Sequence, residues 1–325
     1  MQKRIVGHEA RTNRWGYAFV APFIVVFCIF NLWPTINTLT LGFTDLRGLQ
    51  REYDFIGLEN FVKLIGDPYF WGALQNTFII WSLNFIPQLG IALIIAIWLS
   101  DTRLNLAGKG LFRAVIYMPN LLMAASVALL FRSIFGYNAH VNAPANQFLR
   151  MLGIYYNNVA QGIPMDAFNF FRSVPFSRAL VAFIQWWMWY GHTLIMLMAG
   201  ITSIPVSLYE SAVVDGASGR QTALFITLPL LRPIMLYILV TSMIGGMQMF
   251  EIPFLLTDMR GGPDFRIRTT VMYQYNMAFQ GRNDYAYGAA ISIGIFIVTI
   301  ALAMFIFFLL QDRSELKNRK KGGAK

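Results

Sequence analysis

Eight polar and aromatic side chains interrupt otherwise apolar stretches of this sequence. An amide side chain both donates and accepts hydrogen bonds, so it can bind the hydroxyl groups of a ligand. An aromatic ring can stack on an apolar ring face. The polar members would cost free energy facing lipid, so we expect them to face the interior of a helix bundle. The set consists of Asn84, Gln88, Asn120, Gln185, Trp187, Tyr190, Gln248 and Glu251.

The same stretches carry Trp186, Trp189 and His192, which belong to a wider group of the same kind. A structural role is the alternative for every member. Amide side chains also join helices to each other by hydrogen bonds inside membranes. A run of tryptophans also occurs in the aromatic belt at a membrane surface. The sequence leaves both roles open for each residue.

The sequence contains no arrangement typical of catalysis or nucleotide binding. The segment Gly108-Lys109-Gly110 lacks the upstream glycine and the following hydroxyl of a phosphate-binding loop. His140 and His192 stand in no signature with a nucleophile. Cys28 is the single cysteine, so it can form no disulfide within the chain, and the three dispersed histidines predict no metal site. We therefore expect a non-catalytic chain that binds no cofactor.

The composition places the chain in a membrane. Its 325 residues are 56% hydrophobic and 13% charged, with a mean hydropathy of +0.51, which is too apolar for a soluble domain of this size. Six charge-free stretches are long enough to cross about 30 Å of hydrocarbon as helices. No linker divides them, so we expect one all-α integral membrane domain, residues 15–311, with six transmembrane helices. The predicted spans are residues 15–44, 68–100, 114–131, 179–204, 233–250 and 285–311.

The distribution of charge predicts that both termini are cytoplasmic. The net charge of +10 is spread between the spans and forms no single basic face, which argues against nucleic-acid binding. With the N-terminus inside, 15 of the 26 Lys and Arg residues but six of the 16 acidic residues fall in cytoplasmic segments. Short basic cytoplasmic segments orient a bundle. The cytoplasmic segments then include an N-terminal arm at 1–14, a loop at 205–232, and a basic tail at 312–325 that would bind anionic lipid.

The loop at 205–232 contains helix signals of its own. A serine followed three residues later by Glu or Gln has the spacing of a capping box. A glycine is suited to end a helix in the left-handed conformation, and proline restricts how a helix continues. These signals predict two short helices joined by a turn. In order, they are Ser207 with Glu210, Gly216, Ser218 with Gln221, and the prolines Pro229 and Pro233.

One pattern in this loop resembles a family signature. Glu210-Ser211-Ala212, three residues, Gly216, nine residues, and Ile226-Thr227-Leu228-Pro229 are similar to the EAA loop in the membrane-spanning subunits of bacterial ABC importers. The one departure is Ser211 in place of the first alanine. In that family the loop is a cytoplasmic coupling helix that docks in a groove of a separate ATPase subunit. The resemblance implies this coupling role for Glu210, Ser211, Ala212, Asp215, Gly216, Ile226, Leu228 and Pro229.

Other short sequence segments, called phrases here, are similar to segments found in the carbohydrate branch of these permeases, the maltose and oligosaccharide type. They follow the family's order from residue 55 to the sixth span. The resemblance implies a bundle like that of type I ABC importers, and a di- or oligosaccharide as substrate. The phrases lie at 55–61, 67–77, 112–119, 191–205, 246–251, 256–263 and 278–290.

The resemblance also implies partners in the bacterial cytoplasmic (inner) membrane. They are a homologous second permease, two ATP-binding subunits that use ATP and Mg, and an extracytoplasmic solute-binding protein. A polyol or glycerol phosphate is the alternative substrate, and the phosphate would call for a paired basic site. A secondary sugar carrier without an ATPase is the alternative mechanism. A membrane-embedded enzyme would need a catalytic cluster.

One outer loop, residues 132–178, is long for a compact protein and is rich in asparagine and aromatic residues. Disordered segments are poor in aromatic residues, so we expect this loop to be ordered. Its role would be either docking of the solute-binding protein or gating, and the alternative is that it only covers the bundle.

Overall fold

The computed structural model describes residues 2–100, 108–136, 143–152, 169–257, 259–281 and 283–310. Within these residues the regular structure is helical, and the one β-type contact is an isolated bridge between Thr44 and Phe55. This confirms the all-α prediction. The chain divides into two compact units, the first made of residues 1–67 with 274–294 and the second of residues 68–273 with 295–325.

The helices follow the predicted spans, with short helices between them. In order, they are α1 Gln2–Phe27, a π-helical turn Cys28–Leu32, α2 Trp33–Leu41, α3 Glu59–Ile65, α4 Pro68–Ser100, α5 Lys109–Tyr117, a 3-10 turn Met118–Leu121, α6 Ala124–Phe135, α7 Pro144–Met151, a 3-10 turn Phe170–Arg172, α8 Val174–Thr202, α9 Val206–Val214, α10 Gly219–Thr222, a π-helical turn Ala223–Thr227, α11 Leu228–Leu230, α12 Arg232–Met247, α13 Glu251–Leu256, α14 Thr270–Phe279 and α15 Tyr285–Leu310.

Among the described residues, four helical stretches are long and apolar enough to cross a membrane, and two bent pairs of helices meet the same criterion together. Counting each pair as one span gives the predicted six, and in the second pair Val174–Thr202 covers the predicted span 179–204 while Val206–Val214 lies in the predicted loop 205–232. The four stretches are Trp15–Leu41, Pro68–Ser100, Arg232–Leu256 and Tyr285–Leu310. The bent pairs are Lys109–Leu121 with Ala124–Phe135, at 84°, and Val174–Thr202 with Val206–Val214, at 71°.

The third span, predicted for residues 114–131, is broken into two helices. Pro119 lies in a 3-10 turn, and the chain at Leu122 is extended, with φ −77° and ψ 143°. Proline supplies no N–H to the helical ladder, which favours a break of this kind. By contrast, α4 runs past Pro87 without interruption. A second break follows α12, where Phe250 adopts φ −138° and ψ −62°.

The core of the second unit forms where α4 and α8 pack along each other. Ala92 and Ala96 of α4 and Leu194 and Leu197 of α8 are fully buried in it. Small residues let two helices approach closely inside a membrane. Gly191 shows the same effect, because a Cβ there would overlap the backbone carbonyl of Ile116. This contact lets α8 pack closely against the end of α5.

The first unit is held by a buried carboxylate. Asp284 is 4% exposed and accepts the N–H of Tyr287 at 3.0 Å, which caps α15. Its Oδ2 lies 3.2 Å from Nε of Arg47 and 3.8 Å from Nζ of Lys63. Lys63 Nζ also lies 3.7 Å from the centre of the Tyr287 ring, whose hydroxyl donates to Asp67. One carboxylate therefore ties a loop, α3 and the start of α15 together.

Candidate functional site

The short helix α9 lies between α8 and α12 in sequence and begins after Pro205, which has φ −55° and ψ 129°. The predicted capping box of Ser207 and Glu210 does not form, so that prediction was wrong. A capping side chain belongs to the non-helical residue before the first turn. Ser207 is already helical, because α9 starts at Val206.

The end of α9 is as predicted from Gly216. This glycine has φ +73°, in the left-handed region where side chains are strained. Its N–H donates to the carbonyl of Val213 at 3.0 Å, and the N–H of Ala217 donates to the carbonyl of Ala212 at 2.8 Å. These two bonds make a Schellman motif, which ends the helix sharply.

The second predicted capping box is confirmed. The N–H of Gln221 donates to Ser218 Oγ at 3.4 Å, and the N–H of Ser218 donates to Gln221 Oε1 at 2.8 Å. After this box α10 leads into the π-helical turn and then α11, and α12 begins at Arg232. The predicted second helix is therefore three joined segments with different hydrogen-bond spacing.

The exposure of the eight predicted coupling residues divides them into two groups. Ala212 is buried, and Ile226 and Leu228 are half-buried, so these three help to hold the loop together. The others are available to a partner. The exposed members are Glu210, Ser211, Asp215, Gly216 and Pro229.

A surface on α9 includes apolar residues that the sequence reasoning missed. Val206, Glu210, Val213 and Val214 are all exposed, and Val214 exposes 87% of its surface. Their spacing of four, seven and eight residues from Val206 puts them on one helix face. We call these four residues the α9 surface. That spacing was the signal available in the sequence, and an exposed apolar patch around one acid is typical of a protein contact.

A cavity of about 560 Å³ in the second unit collects most of the predicted substrate residues. It lies between α4, the 3-10 turn before α6, α8, α12 and the start of α13. Trp189 and His192 of the wider group also line it. The predicted residues in its lining are Asn84, Gln88, Asn120, Gln185, Gln248 and Glu251.

Two of these amides hold the cavity wall together. Gln88 Nε2 donates to Thr193 Oγ1 at 2.7 Å, which joins α4 to α8. Asn120 Nδ2 donates to the carbonyl of Met188 at 3.3 Å, which joins the 3-10 turn to α8. Helix joining was the alternative role in the sequence reasoning. These donor groups are therefore occupied within the protein.

Asn84 differs from both. Its side chain is 7% exposed, and its Oδ1 is buried without a hydrogen-bond partner among the described residues. A buried acceptor left unpaired costs free energy, and a donor in the cavity would recover it once the Asn84 side chain turned towards the cavity. Gln185 is half-buried, whereas Gln248 and Glu251 are exposed at the cavity surface. As substrate contacts, all four remain predictions.

Two predicted residues do not line the cavity. The Trp187 ring lies 6.3 Å from that of Phe131, and Tyr190 stacks on Trp186 at 5.5 Å. Successive helical residues are about 100° apart, so one face of α8 cannot present every aromatic residue of the run. The lining residues Gln185, Met188, Trp189 and His192 follow the spacing of one face instead.

Comparison with known proteins agrees with this arrangement. Residues 88–317 match the family described as binding-protein-dependent transport system inner membrane component. A lactose transport system permease protein of Rhizobium radiobacter is 31% identical over 298 residues, which cover 92% of this chain and 94% of that protein. An arabinooligosaccharides transport system permease protein of Bacillus subtilis is 32% identical over 291 residues, which cover 89% and 86%.

A solved structure shares the fold. It is a bacterial alginate ABC transporter in complex with an alginate pentasaccharide-bound periplasmic protein. The matched chain has a TM-score of 0.75 at 23% identity, covering 93% of this chain and 96% of that one. The matches confirm the resemblance seen in the EAA-like loop, together with its expectation of a non-catalytic transport subunit. The chain belongs to the family of inner membrane components of binding-protein-dependent transport systems.

Proposed function

We propose that this permease subunit forms the path for a carbohydrate, a di- or oligosaccharide, through an ATP-driven importer. The observation that carries the proposal is the cavity with Asn84 in its wall. A carbohydrate supplies hydroxyl donors for a buried acceptor such as Asn84 Oδ1. Trp189, which lines the cavity and is 49% exposed, supplies a ring for the apolar face of a sugar. The named relatives act on lactose and arabinooligosaccharides.

The charge of the cavity argues against the alternative substrate. A glycerol phosphate would need cationic partners. The described lining residues include no Lys or Arg, and Glu251 would repel a phosphate. Membership of a binding-protein-dependent family likewise argues against a secondary carrier.

The α9 surface would transmit the force for transport. In this proposal the importer has two ATP-binding subunits, which use ATP and Mg, and one of them binds α9 through Glu210 and the valines around it. Their closure moves α9 and rocks the bundle from an inward-open to an outward-open state. A homologous second permease completes the path. This chain forms the sugar path and changes conformation, and the ATP-binding partner subunits hydrolyse ATP.

The opposite membrane face would receive an extracytoplasmic solute-binding protein, as the structurally similar alginate transporter binds a periplasmic protein. This orientation places both termini, the arm at 1–14 and the tail at 312–325 in the cytoplasm. The excess of basic residues in those segments supports it. The outer loop 132–178 then faces the binding protein. Residues 137–142 and 153–168 of that loop, and the tail, lie outside the described residues.

The proposal is tested by purifying the tagged chain in mild detergent with its bound partners. We expect an ATP-binding subunit and a second permease to co-purify. ATP hydrolysis by the complex should rise when a sugar-loaded binding protein is added, and not when the binding protein is empty. Recovery of the chain alone, with sugar transport in liposomes that needs no ATP, would overturn the proposal.

A further inference from the structure

One hydrogen bond joins the α9 helix to the segment that leads into α12. The hydroxyl oxygens of Tyr209 and Thr227 lie 3.2 Å apart. Thr227 Oγ1 also donates to the carbonyl of Thr222 at 3.5 Å. Either hydroxyl can donate in the Tyr209–Thr227 pair. Thr227 is 3% exposed, so water does not readily replace either partner.

This bond is the lateral attachment of α9. Among the described residues, no other side chain of α9 forms a hydrogen bond or an ion pair. Of the nine residues in α9, Ala212 is buried and Tyr209 is half-buried, and the other seven are exposed. Apart from this bond and the packing of the buried Ala212, α9 is connected through the turns at its two ends. A force on the α9 surface can therefore tilt the helix unless Tyr209 holds it.

Thr227 lies where the hydrogen-bond spacing of its helix changes. Thr227 is the last residue of the π-helical turn Ala223–Thr227. A π turn carries one extra residue per hydrogen-bonded ring, and such turns are frequent at functional sites. The bond from Thr227 to Thr222 spans five residues, as the π turn does. Tyr209 is therefore hydrogen-bonded to the segment at the residue where the π-helical turn ends and α11 begins.

We propose that the Tyr209–Thr227 bond is a tie that makes α9 and the π-helical turn move together, so that displacement of α9 reaches α12. The inference rests on the proposed function and adds to it a positioning residue, Tyr209, outside the exposed face of Glu210. With the tie intact, a push on α9 is passed to the cavity wall through α12. Without it, α9 tilts by itself, and ATP hydrolysis proceeds with fewer sugar molecules moved.

The test measures sugar molecules imported per ATP hydrolysed by the reconstituted transporter. Tyr209→Phe and Thr227→Val each remove one hydroxyl of the pair with little change of shape. Each variant should lower the ratio about fivefold, the change in equilibrium that one neutral hydrogen bond sustains. The double variant should lower it no further, because both changes remove the same bond. Thr202→Val is the matched control, since that hydroxyl donates to carbonyls within its own helix.

The outcomes test the Tyr209–Thr227 tie separately from the proposed transport function. A wild-type complex without ATP-coupled uptake would contradict the proposed function. If the wild type couples uptake to ATP hydrolysis and both single variants import as much sugar per ATP as the wild type, the proposed tie is wrong. Additive losses in the double variant would also overturn it, since they indicate two separate effects. The thermal midpoint and subunit content of each complex are measured alongside, and losses in the ratio that follow a lowered midpoint would assign the bond to stability instead.

Discussion

Replacing Gly246 by alanine tests how α12 packs against α4. A Cβ at this position would overlap Cδ1 of Trp81 and lie 2.7 Å from Cγ, where 3.4 Å begins ordinary contact. Trp81 has little freedom to withdraw. It is 7% exposed, its ring stacks on Phe85 at 5.2 Å, and its Nε1 donates to Ser242 Oγ at 3.1 Å. The substitution therefore forces either the tryptophan or α12 to move.

The size of the effect follows from these contacts. Overpacking a core costs about 1–3 kcal/mol. Loss of the Trp81–Ser242 bond adds about 1 kcal/mol, and the better helix propensity of alanine returns about 1 kcal/mol. We expect a net loss of about 1–3 kcal/mol, or roughly 3–10 °C in the thermal midpoint of the purified complex. Uptake should also fall, because Trp81 and Gly246 both line the cavity.

The adjacent glycine provides the control. A Cβ at Gly245 would meet no atom within 4 Å. Gly245→Ala should therefore leave the thermal midpoint unchanged or raise it. The measurement is thermal unfolding of both variants in the same detergent, followed by sugar uptake in liposomes. If the two alanine variants shift the midpoint equally, the contact between Gly246 and Trp81 does not hold α12 in place, and the reasoning fails.

Three further predictions concern the cavity, the coupling helix and the first unit. Asn84→Leu should lower uptake in liposomes about fivefold while keeping the thermal midpoint, because Oδ1 has no partner among the described residues; unchanged uptake would remove Asn84 from the substrate path. Glu210→Lys should abolish ATP-driven uptake by reversing charge on the α9 surface, with membrane insertion intact by fractionation; normal uptake would contradict the role of Glu210. Asp284→Ala should lower the thermal midpoint by several degrees, because it removes a helix cap worth about 1 kcal/mol and the carboxylate that joins Arg47 and Lys63 to α15; an unchanged midpoint would refute this.

The sequence predicted those features that depend on neighbouring residues alone. Gly216 ends α9 because its left-handed conformation is a property of the residue itself. Ser218 and Gln221 cap α10 because both partners lie within one turn. Ser207 and Glu210 have the same spacing and form no cap, since the helix starts two residues earlier than a cap at Ser207 requires, after Pro205. The spacing is therefore necessary for a capping box, and the helix start decides whether it forms.

Features that depend on distant partners were not visible in the sequence. Composition places Trp187, Tyr190 and Trp189 in one aromatic run, and only the packing of α8 shows that Trp189 faces the cavity. The side-chain amide of Gln88 donates a hydrogen bond to Thr193, which is 105 residues away in sequence. The π-helical turn gives no signal in residue types. Such features follow from how helices pack, which a pattern of apolar residues does not specify.

The 84° bend in the third span bears on how the chain enters the membrane during synthesis. A helix needs about 20 residues to cross the hydrocarbon. Here nine residues of α5 with a four-residue 3-10 turn precede the bend, and the twelve residues of α6 follow it. The polar groups at the bend cannot face lipid, and Asn120 in the turn donates to a carbonyl of α8. The third span therefore has a polar contact to a segment that the ribosome makes later, and we expect the third and fourth spans to enter the bilayer as a pair.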